Sequence, residues 1–267
     1  MSHAAPPASA LPAGTLFLMP APLDFGCEPP APLEAALPRL AIETAARLAF
    51  WVSENARSTR AFLKRVNAIA PLAQPLQAVQ IAELPRAAHK QGDHAGGGGA
   101  RFDARALLAP ALAGHDMALI SEAGLPAVAD PGSSVVRAAH EAGVPVQPLA
   151  GPSSLLLALA ASGLNGQSFA FNGYLPQEAA ARARRIRELE ALALKTGQTQ
   201  LFIETPYRNA ALLHALAHTL QPATRLSVSQ GLTLPAARCR TLPASAWRQL
   251  GADAAPGREP AIFAIGL

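Results

Sequence analysis

The sequence predicts an α/β protein made of two α/β domains. Short, continuously apolar segments alternate with longer helical patterns along most of the chain. Two of these segments, residues 116–121 and 144–149, flank a helical pattern over residues 132–142, which is typical of a parallel sheet covered on both faces. The turn-rich segment GLNGQ, residues 163–167, then separates this pattern from a second alternation of strands and helices. We therefore predict domains over residues 14–165 and 166–267.

The first domain is predicted to open with a strand, TLFLMP, over residues 15–20. A helical pattern covers residues 33–50, and PLQAVQI, residues 75–81, is a further predicted strand. Four consecutive glycines within residues 85–101 predict a mobile surface loop, because glycine has high backbone entropy and offers no side chain for packing. A phosphate-binding loop is disfavoured, since RFDARALL after the glycines lacks the required lysine or hydroxyl residue.

The second domain alternates in the same way but is expected to mix strand directions. Its predicted strands cover residues 168–175, 199–205, 225–230, 238–243 and 261–267. Its predicted helices cover residues 178–195, 206–220 and 243–250.

Composition bounds the class of protein. Among 267 residues, 50% are hydrophobic and 15% are charged, so a large core can form. The longest apolar stretch, residues 155–161, is far shorter than the roughly 20 residues of a membrane span. Residues 1–13 lack a basic region followed by an apolar block, which favours a disordered leader over a signal peptide. Two cysteines, Cys27 and Cys239, argue against a disulfide framework and suit a reducing cytoplasm.

Charge permits, but does not require, a polyanionic partner. The formal net charge is +4 and the isoelectric point is near 9.6. Four arginines cluster in RARRIRELE, residues 182–190, where a solvated helix face and an RNA contact are both open and no aromatic residue is interleaved. His214 and His218 have helical i, i+4 spacing but lack a third ligand nearby, so no metal site is predicted.

Two predicted strands end in loops rich in glycine and proline. ISEAGLPAVADPG, residues 120–132, follows one strand, and AGPSS, residues 150–154, follows the next strand along the chain. The carboxyl ends of parallel strands are where open α/β sheets bind ligands, so a shared pocket is predicted there. Gly124 allows close approach of a ligand to the backbone, and Asp130 is predicted to cap a helix that opens with Pro131.

Six segments occur in a characteristic order: LPAGTLFLMPAPL, WVSENARSTRAFL, ISEAGLPAVADPG with GPSSLLLALAASGL, FAFNGYLP, LFIETPYRNAALLHAL and EPAIFAIGL. They resemble the tetrapyrrole methylase superfamily of S-adenosylmethionine-dependent methyltransferases. Within it, the chain is most similar to the ribosomal RNA small subunit methyltransferase I branch, as a divergent paralogue. The resemblance covers residues 14–267 and is most specific over residues 120–176.

The resemblance implies two domains with the methyl donor, S-adenosylmethionine, in a cleft between them, S-adenosylhomocysteine as the product, and a homodimer. It also implies which residues contact the donor. Those residues are Pro22, Ala123, Gly124, Leu125, Val128, Ser153, Ser154, Thr205 and Leu232.

Three family motifs are altered in this chain. The family's P-T-P-I-G-N-L falls on residues 20–26, where Asp24, Phe25 and Gly26 replace the Gly-Asn-Leu end. E-D-T-R falls on residues 54–57 as ENAR, and R-E-L-T-K falls on residues 230–234 as QGLTL, which removes three charges. These changes affect the expected substrate side more than the donor loops, so the resemblance supports donor binding more firmly than an RNA substrate.

Methyl transfer to a ribose hydroxyl requires alignment and a proton acceptor, because the neutral hydroxyl is a poor nucleophile. We predict Glu54 as that acceptor and Arg57 as a residue that holds a phosphate or orients Glu54. An exposed ion pair between the two at a helix start is the structural alternative.

The expected function is 2'-O-methylation of a ribose in small-subunit rRNA, with rRNA or the small ribosomal subunit as partner. Two alternatives stay open. One is methylation of a tetrapyrrole or another small molecule, for which two Trp and two Tyr offer little stacking surface. The other is a donor-binding protein without catalytic activity.

Overall fold

Two units make up the chain in the computed structural model, Met1–Pro152 and Ser153–Leu267. The structure describes residues 12–24, 27, 30–85, 103–251, 256–257 and 259–267. Nearly all of the predicted leader and most of the predicted glycine-rich loop lie outside these residues. Each unit contains its own five-stranded sheet, and this confirms the predicted α/β class with two domains.

The first sheet is entirely parallel. Its strands follow the order β3-β2-β4-β1-β5, and every neighbouring pair runs in the same direction. β4 is buried at all four positions, which explains its uninterrupted apolar sequence, MALI. The strands are β1 Leu16–Met19, β2 Phe50–Ser53, β3 Gln80–Glu83, β4 Met117–Ile120 and β5 Val146–Pro148.

Helices cover both faces of this sheet. α1 and α2 pack on the face that carries Phe17, Trp51 and Ile120, while α3 and α4 pack on the face that carries Leu119. The sidedness follows from the alternation of side chains along each strand. The helices are α1 Arg39–Arg47, α2 Ala56–Asn67, α3 Ala109–Leu112 and α4 Ser133–Glu141.

The structure differs from the predicted elements of this unit at three places. The helix predicted over residues 33–50 is a short 3-10 turn at Leu33–Ala35 followed by α1, because the chain is extended at Pro38 and the helix begins only after it. The missed strand β2 starts at Phe50, where a four-residue apolar run shows no period that separates strand from helix. The strand predicted over residues 75–81 is also shifted, since β3 begins only at Gln80.

The second sheet mixes strand directions, as predicted. Its order is β6-β7-β10-β8-β9, in which β6 and β7 are parallel and the other neighbours are antiparallel. Its strands are β6 Phe169–Tyr174, β7 Thr199–Glu204, β8 Arg225–Gln230, β9 Arg238–Pro243 and β10 Ala261–Gly266. Its helices are α5 Ser154–Ser162, α6 Ala179–Thr196, α7 Asn209–Thr219 and α8 Ala244–Leu250.

Helix α5 belongs to the second unit, whereas the sequence placed it in the first domain. Leu155 and Leu159 of α5 pack with Leu201 and Ile262 of the second sheet. The opposite face of that sheet is covered by α6, α7 and α8 around Phe202 and Phe263. The boundary therefore falls between residues 152 and 153 rather than after residue 165, because the apolar face of α5 is buried by the second core.

Candidate active site

The sheet of the first unit has a topological switch point between β1 and β4. The connections that follow β1 and β2 lie on one face through α1 and α2, and those that follow β3 and β4 lie on the other through α3 and α4. β1 and β4 are neighbours in the sheet. In open α/β sheets, ligands bind in the crevice at the carboxyl ends of two such strands.

The loop after β1 lies between the two predicted ligand loops. Ala21 and Gly124 exchange backbone hydrogen bonds of 2.8 and 3.0 Å, which ties the β1 loop to the β4 loop. On its other side, a Cβ placed on Gly151 would lie 2.2 Å from the Cβ of Pro20. The sequence predicted one shared pocket for the loops after β4 and β5, but strand β1 lies between these two strands in the sheet. The three loops therefore form one backbone surface around residues 20–22.

We expect Gly151→Ala to lower the free energy of unfolding by about 1–3 kcal/mol, because the new methyl group overlaps Pro20 and forces the β1 and β5 loops apart. Urea denaturation measures this change. Gly166→Ala is the control, since a Cβ there meets nothing within 4 Å. Equal stability of the two variants would show that the contact at residue 151 is easily relieved.

The loop that follows β4 contains several residues with left-handed backbone conformation. Besides Gly124, with φ 72°, the non-glycine residues Ala127 and Ala129 both have φ of 64°. Such residues cost on the order of 1 kcal/mol or more each and concentrate at ligand sites. Gly132, with φ 131°, is the N-cap of α4. The prediction that Asp130 caps this helix was therefore wrong, because the helix begins two residues later than expected.

A cavity of about 260 Å³ opens beside the switch point. Its walls come from the β1 loop, the end of β4 and α2, with Pro22, Phe62 and Ile120 among its apolar residues and Ser121 and Glu122 among its polar ones. A mostly apolar wall with a few convergent polar groups is the usual composition of a small-molecule site. The cavity is somewhat smaller than the roughly 300–1,000 Å³ of a complete ligand pocket, so it suits part of a larger ligand.

A buried ion pair holds the altered β1 loop against α2. The side chain of Asp24 is 4% exposed, and its carboxylate accepts hydrogen bonds from both terminal nitrogens of Arg65, at 2.9 and 3.3 Å. It also accepts from the backbone N–H of Ala31, and Arg65 donates to the carbonyl of Ala31 at 2.6 Å. Asp24, which the family resemblance marked as a lost glycine, thus anchors the loop that lines the cavity.

Glu54 lies directly after β2 and contacts the β4 loop. Its Oε2 accepts a hydrogen bond from the backbone N–H of Glu122 at 3.2 Å, and Glu122 lines the cavity. Asn55 caps α2 by accepting from the backbone N–H of Arg57, whose side chain is exposed on the first turn. Glu54 is therefore linked by one hydrogen bond to a residue that lines the cavity, and Arg57 is exposed on the first turn of the helix that follows.

Three carboxyl groups approach one another at this end of the sheet. Burial, as the largest cause, and the negative charges of Glu54 and Glu122 together raise the pKa of Asp130 to about 7. Asp130 therefore holds a proton over part of the neutral pH range. Its neutral form reduces the repulsion that Glu54 and Glu122 would otherwise experience.

This pKa has a consequence for stability. The folded-state pKa lies above the unfolded value, so the contribution of Asp130 is fully present below about pH 4 and is lost as the pH rises through about 7. In Asp130→Asn nothing ionises at this position. We expect the stability of the variant relative to the wild type to increase from pH 4 to pH 8 by up to about 4 kcal/mol, since one pKa unit equals about 1.4 kcal/mol.

Urea denaturation across this pH range measures the effect of Asp130→Asn. The control is Glu141→Gln at an exposed position on α4, whose stability should stay parallel to that of the wild type. A constant difference between Asp130→Asn and the wild type at all pH values would contradict the assignment.

In the second unit, the predicted donor residues meet at one edge of the sheet. Thr205 follows β7, and Leu232 follows β8; these strands run in the same direction because both are antiparallel to β10. The segment that follows α5 lies near the opposite edge, since a Cβ placed on Gly266 would be 3.3 Å from the side chain of Leu164. The first turn of α5, with Ser153 and Ser154, therefore lies toward the edge of Thr205 and Leu232, and Leu155 and Leu232 belong to the same core cluster.

The state of each side chain at this edge differs. Ser153 is buried at the N-cap position of α5, yet its side chain makes no capping hydrogen bond. Thr205 is positioned by Glu204, whose Oε1 accepts from the backbone N–H of Thr205 at 2.7 Å and from Arg208 at 2.6 Å. Leu232 packs against the α5 core cluster. The adjacent Thr233 has φ of 71° and is, after Ala127 and Ala129, a third non-glycine residue with left-handed backbone among the described residues.

The remaining predicted residues lie on the β4 loop of the first unit. Ala123 and Leu125 are half-buried on either side of Gly124, and Val128 is 44% exposed. Reasoning from sequence missed Arg65 and the raised pKa of Asp130. Arg65 could not be found, because its partner Asp24 is 41 residues away.

Within the described ranges, no three His, Cys, Asp or Glu residues form a group that could hold a metal ion. His214 and His218 stack on each other, with ring centroids 4.1 Å apart. Across the same residues, every helix is too short or too polar to pass through a lipid bilayer.

Solved structures resemble the fold of this chain. The native form of uroporphyrin III C-methyltransferase from Thermus thermophilus superposes with a TM-score of 0.52 at 18% identity, covering 95% of this chain and 97% of that one. A structure of the Thermus enzyme complexed with S-adenosylhomocysteine gives a TM-score of 0.51 at 17% identity, covering 95% and 92%. At these identities the likeness establishes the fold.

Sequence relatives are more similar. Ribosomal RNA small subunit methyltransferase I of Pseudomonas aeruginosa is 32% identical over 205 residues, which cover 77% of this chain and 60% of that protein. The protein of the same name from Vibrio cholerae is 36% identical over 130 residues, covering 49% and 44%. The matched part of the chain thus spans about half the length of these curated relatives. Residues 41–246 match the model of the tetrapyrrole (corrin/porphyrin) methylases, and the chain belongs to that family.

Proposed function

We propose that this protein is an S-adenosylmethionine-dependent methyltransferase that methylates a ribose 2'-hydroxyl of small-subunit rRNA. The observation that carries the proposal is the cavity at the β1/β4 switch point, beside the loops that the family resemblance assigns to the donor, in a chain of that family. The rRNA methyltransferases of Pseudomonas and Vibrio support RNA as the acceptor. The Thermus complex with S-adenosylhomocysteine supports the donor.

The residues of the first unit fit the proposed donor. Gly124, with φ of 72°, and the strained positions after it present main chain rather than side chains, and Ala21 holds Gly124 in place by two hydrogen bonds. Main-chain groups recognise a ligand without long flexible side chains, which lowers the entropic cost of binding. S-adenosylmethionine supplies an electrophilic methyl group on a sulfonium. Ala123, Gly124, Leu125 and Pro22 would bind and orient that group.

The acceptor hydroxyl needs a base and a site from which water is excluded. Glu54 accepts a hydrogen bond from the N–H of Glu122, a residue of the cavity lining, and we propose that its carboxylate takes up the hydroxyl proton. Phe62, Ile120 and Pro22 supply apolar walls. Arg57, exposed one turn away, is suited to contact a phosphate of the acceptor.

In the second unit, we propose that Ser153, Ser154, Thr205 and Leu232 bind the donor from the edge of the second sheet. Thr205 is fixed by Glu204, and the hydroxyl of Ser153 is not used for capping. We further propose a cytoplasmic homodimer, as the family resemblance implies. Analytical ultracentrifugation of the purified chain tests the dimer.

Calorimetry with S-adenosylmethionine tests donor binding. We expect saturable binding, and Gly124→Val, which places a branched side chain at positive φ, should abolish it. No binding at millimolar donor would reject the proposal. Transfer of a radioactive methyl group to 30S particles from cells that lack the protein then tests the acceptor. Donor binding without transfer to any RNA would favour a protein that has lost catalysis.

A further inference from the structure

The positive charge of this protein is concentrated in the second unit. Residues 153–267 contain eleven Arg and Lys against six Asp and Glu, whereas residues 1–152 contain eleven against twelve. The whole net charge of +4 therefore arises from the second unit. A polyanionic partner is attracted to such a surface before any specific contact forms.

Both tyrosines of the chain are exposed in that unit. Tyr207 is 81% exposed and Tyr174 is 57% exposed, whereas both tryptophans are buried. Tyr174 ends β6, and its pairing partner is Ile203, four residues before Tyr207. β6 and β7 are parallel, so both rings lie at the carboxyl edge of neighbouring strands, with residue 207 within about 14 Å of Ile203 along the chain. Two exposed aromatic rings at one edge can each stack on a nucleobase.

Arginines accompany both rings. The guanidinium of Arg208 lies 5.7 Å from the ring centroid of Tyr207, and the buried carboxylate of Glu204 fixes it in that position. Arg185, on the second turn of α6, reaches Asn172 of β6 at 3.3 Å and Glu188 at 3.2 Å. Arg185 therefore lies beside the strand that ends in Tyr174.

The arginine run of α6 does not form one face. At about 100° per residue, Arg184 and Arg185 lie about 100° apart around the helix axis, whereas Arg187 lies roughly opposite Arg185. Arg184 is exposed, and Arg182 is half-buried and donates to the carbonyl of Gln177. The sequence showed no aromatic residue within this run, because the rings that adjoin it come from β6 and from the turn after β7.

We propose that Tyr174, Tyr207, Arg184, Arg185 and Arg208, the aromatic–arginine surface, bind a single-stranded segment of the RNA acceptor. The inference rests on the proposed function and assigns the contact outside the cavity. The tyrosines stack on two bases, and Arg184 and Arg185 neutralise phosphates of the same strand. Arg208 braces Tyr207, since its charge is already paired with Glu204.

Fluorescence anisotropy of the full chain with a labelled single-stranded oligoribonucleotide of about 12 nucleotides tests this surface. Tyr174→Ala combined with Tyr207→Ala should weaken binding at least tenfold, because one base stack is worth about 1–3 kcal/mol. The matched control is Phe169→Ala, an exposed ring at the opposite end of β6, which should bind like the wild type. Equal affinities of the double variant and the control would overturn the proposal.

Salt dependence tests the arginines. Arg184→Gln combined with Arg185→Gln should reduce the slope of log Kd against log salt by about 1.4, since each phosphate contact contributes about 0.7 on single strands. An unchanged slope would remove the two arginines from the surface. Ultracentrifugation of the tyrosine double variant should show the mass of the wild type. A loss of mass would overturn the proposal by assigning the surface to contact between copies.

Calorimetry with S-adenosylmethionine separates this inference from the proposed function. The tyrosine double variant should retain the donor affinity of the wild type while losing RNA affinity. Retained donor binding with unchanged RNA affinity would overturn the surface alone. Absent donor binding in the wild type would instead reject the proposed function, whatever the RNA result.

Discussion

Arg65→Met is expected to lower the free energy of unfolding of the first unit by about 3 kcal/mol. The substitution keeps most of the aliphatic stem but leaves the carboxylate of Asp24, 4% exposed, without its bidentate partner. Breaking a buried pair costs about 3–5 kcal/mol, and the 28% exposure of Arg65 places the expected loss at the lower end of that range. Urea denaturation measures it.

A control and a double variant separate charge from packing in that experiment. Arg60→Met lies on the same helix at an exposed position and should change stability by less than about 0.5 kcal/mol. Asp24→Asn added to Arg65→Met removes the uncompensated charge, while the amide oxygen can still accept from Ala31. The double variant should recover much of the loss. If it is no more stable than Arg65→Met, the ion pair does not account for the effect.

Glu54→Gln is expected to lower the rate of methyl transfer about 100-fold or more, with little change in the affinity for S-adenosylmethionine. Glutamine has the shape of glutamate and its oxygen can still accept the N–H of Glu122, so the loop geometry should be kept. It cannot accept a proton, and general-base catalysis typically contributes about 10²–10⁴ in rate. Single-turnover transfer to the RNA acceptor measures the chemical step.

Arg57→Gln is the companion variant for that measurement. If Arg57 contacts an acceptor phosphate, its loss should weaken RNA binding and leave the single-turnover rate at saturating RNA nearly unchanged. Full transfer activity of Glu54→Gln would eliminate Glu54 as the proton acceptor. A parallel loss of donor affinity would mean that Glu54 shapes the donor site instead.

Local patterns predicted most of the secondary structure because they carry a period or a stop signal. α6 has a long helical pattern, and β4 is a short apolar strand whose end is marked by a glycine- and proline-rich loop, so both were predictable from sequence. β2 has the same length as β4 but was missed, because FWVS is too short to show a period and no glycine or proline flanks it. The domain to which α5 belongs was mispredicted for another reason. The helix is apolar on all sides, so its sequence does not indicate which of the two cores it packs against.

The candidate site likewise has features that local sequence predicts and features that it does not. The loop at Gly124 was predictable from a strand that ends in glycine and proline, whereas the role of Glu54 stays a prediction from its altered motif. The Asp24–Arg65 pair and the pKa of Asp130 depend on residues that are distant in sequence and meet only in the fold. For Asp24, the altered motif indicated only that a glycine is replaced, and not that the new carboxylate pairs with Arg65.

The reciprocal hydrogen bonds between Ala21 and Gly124 bear on which residues of this region can change during evolution. They join main chain to main chain, so this link between the two loops does not depend on which side chains the loops carry. Side chains that line the neighbouring cavity, such as Cys27, Ser58 and Glu122, can therefore change without breaking this link. If these loops hold the methyl donor as proposed, a lineage with this arrangement can exchange one acceptor for another while its donor stays the same.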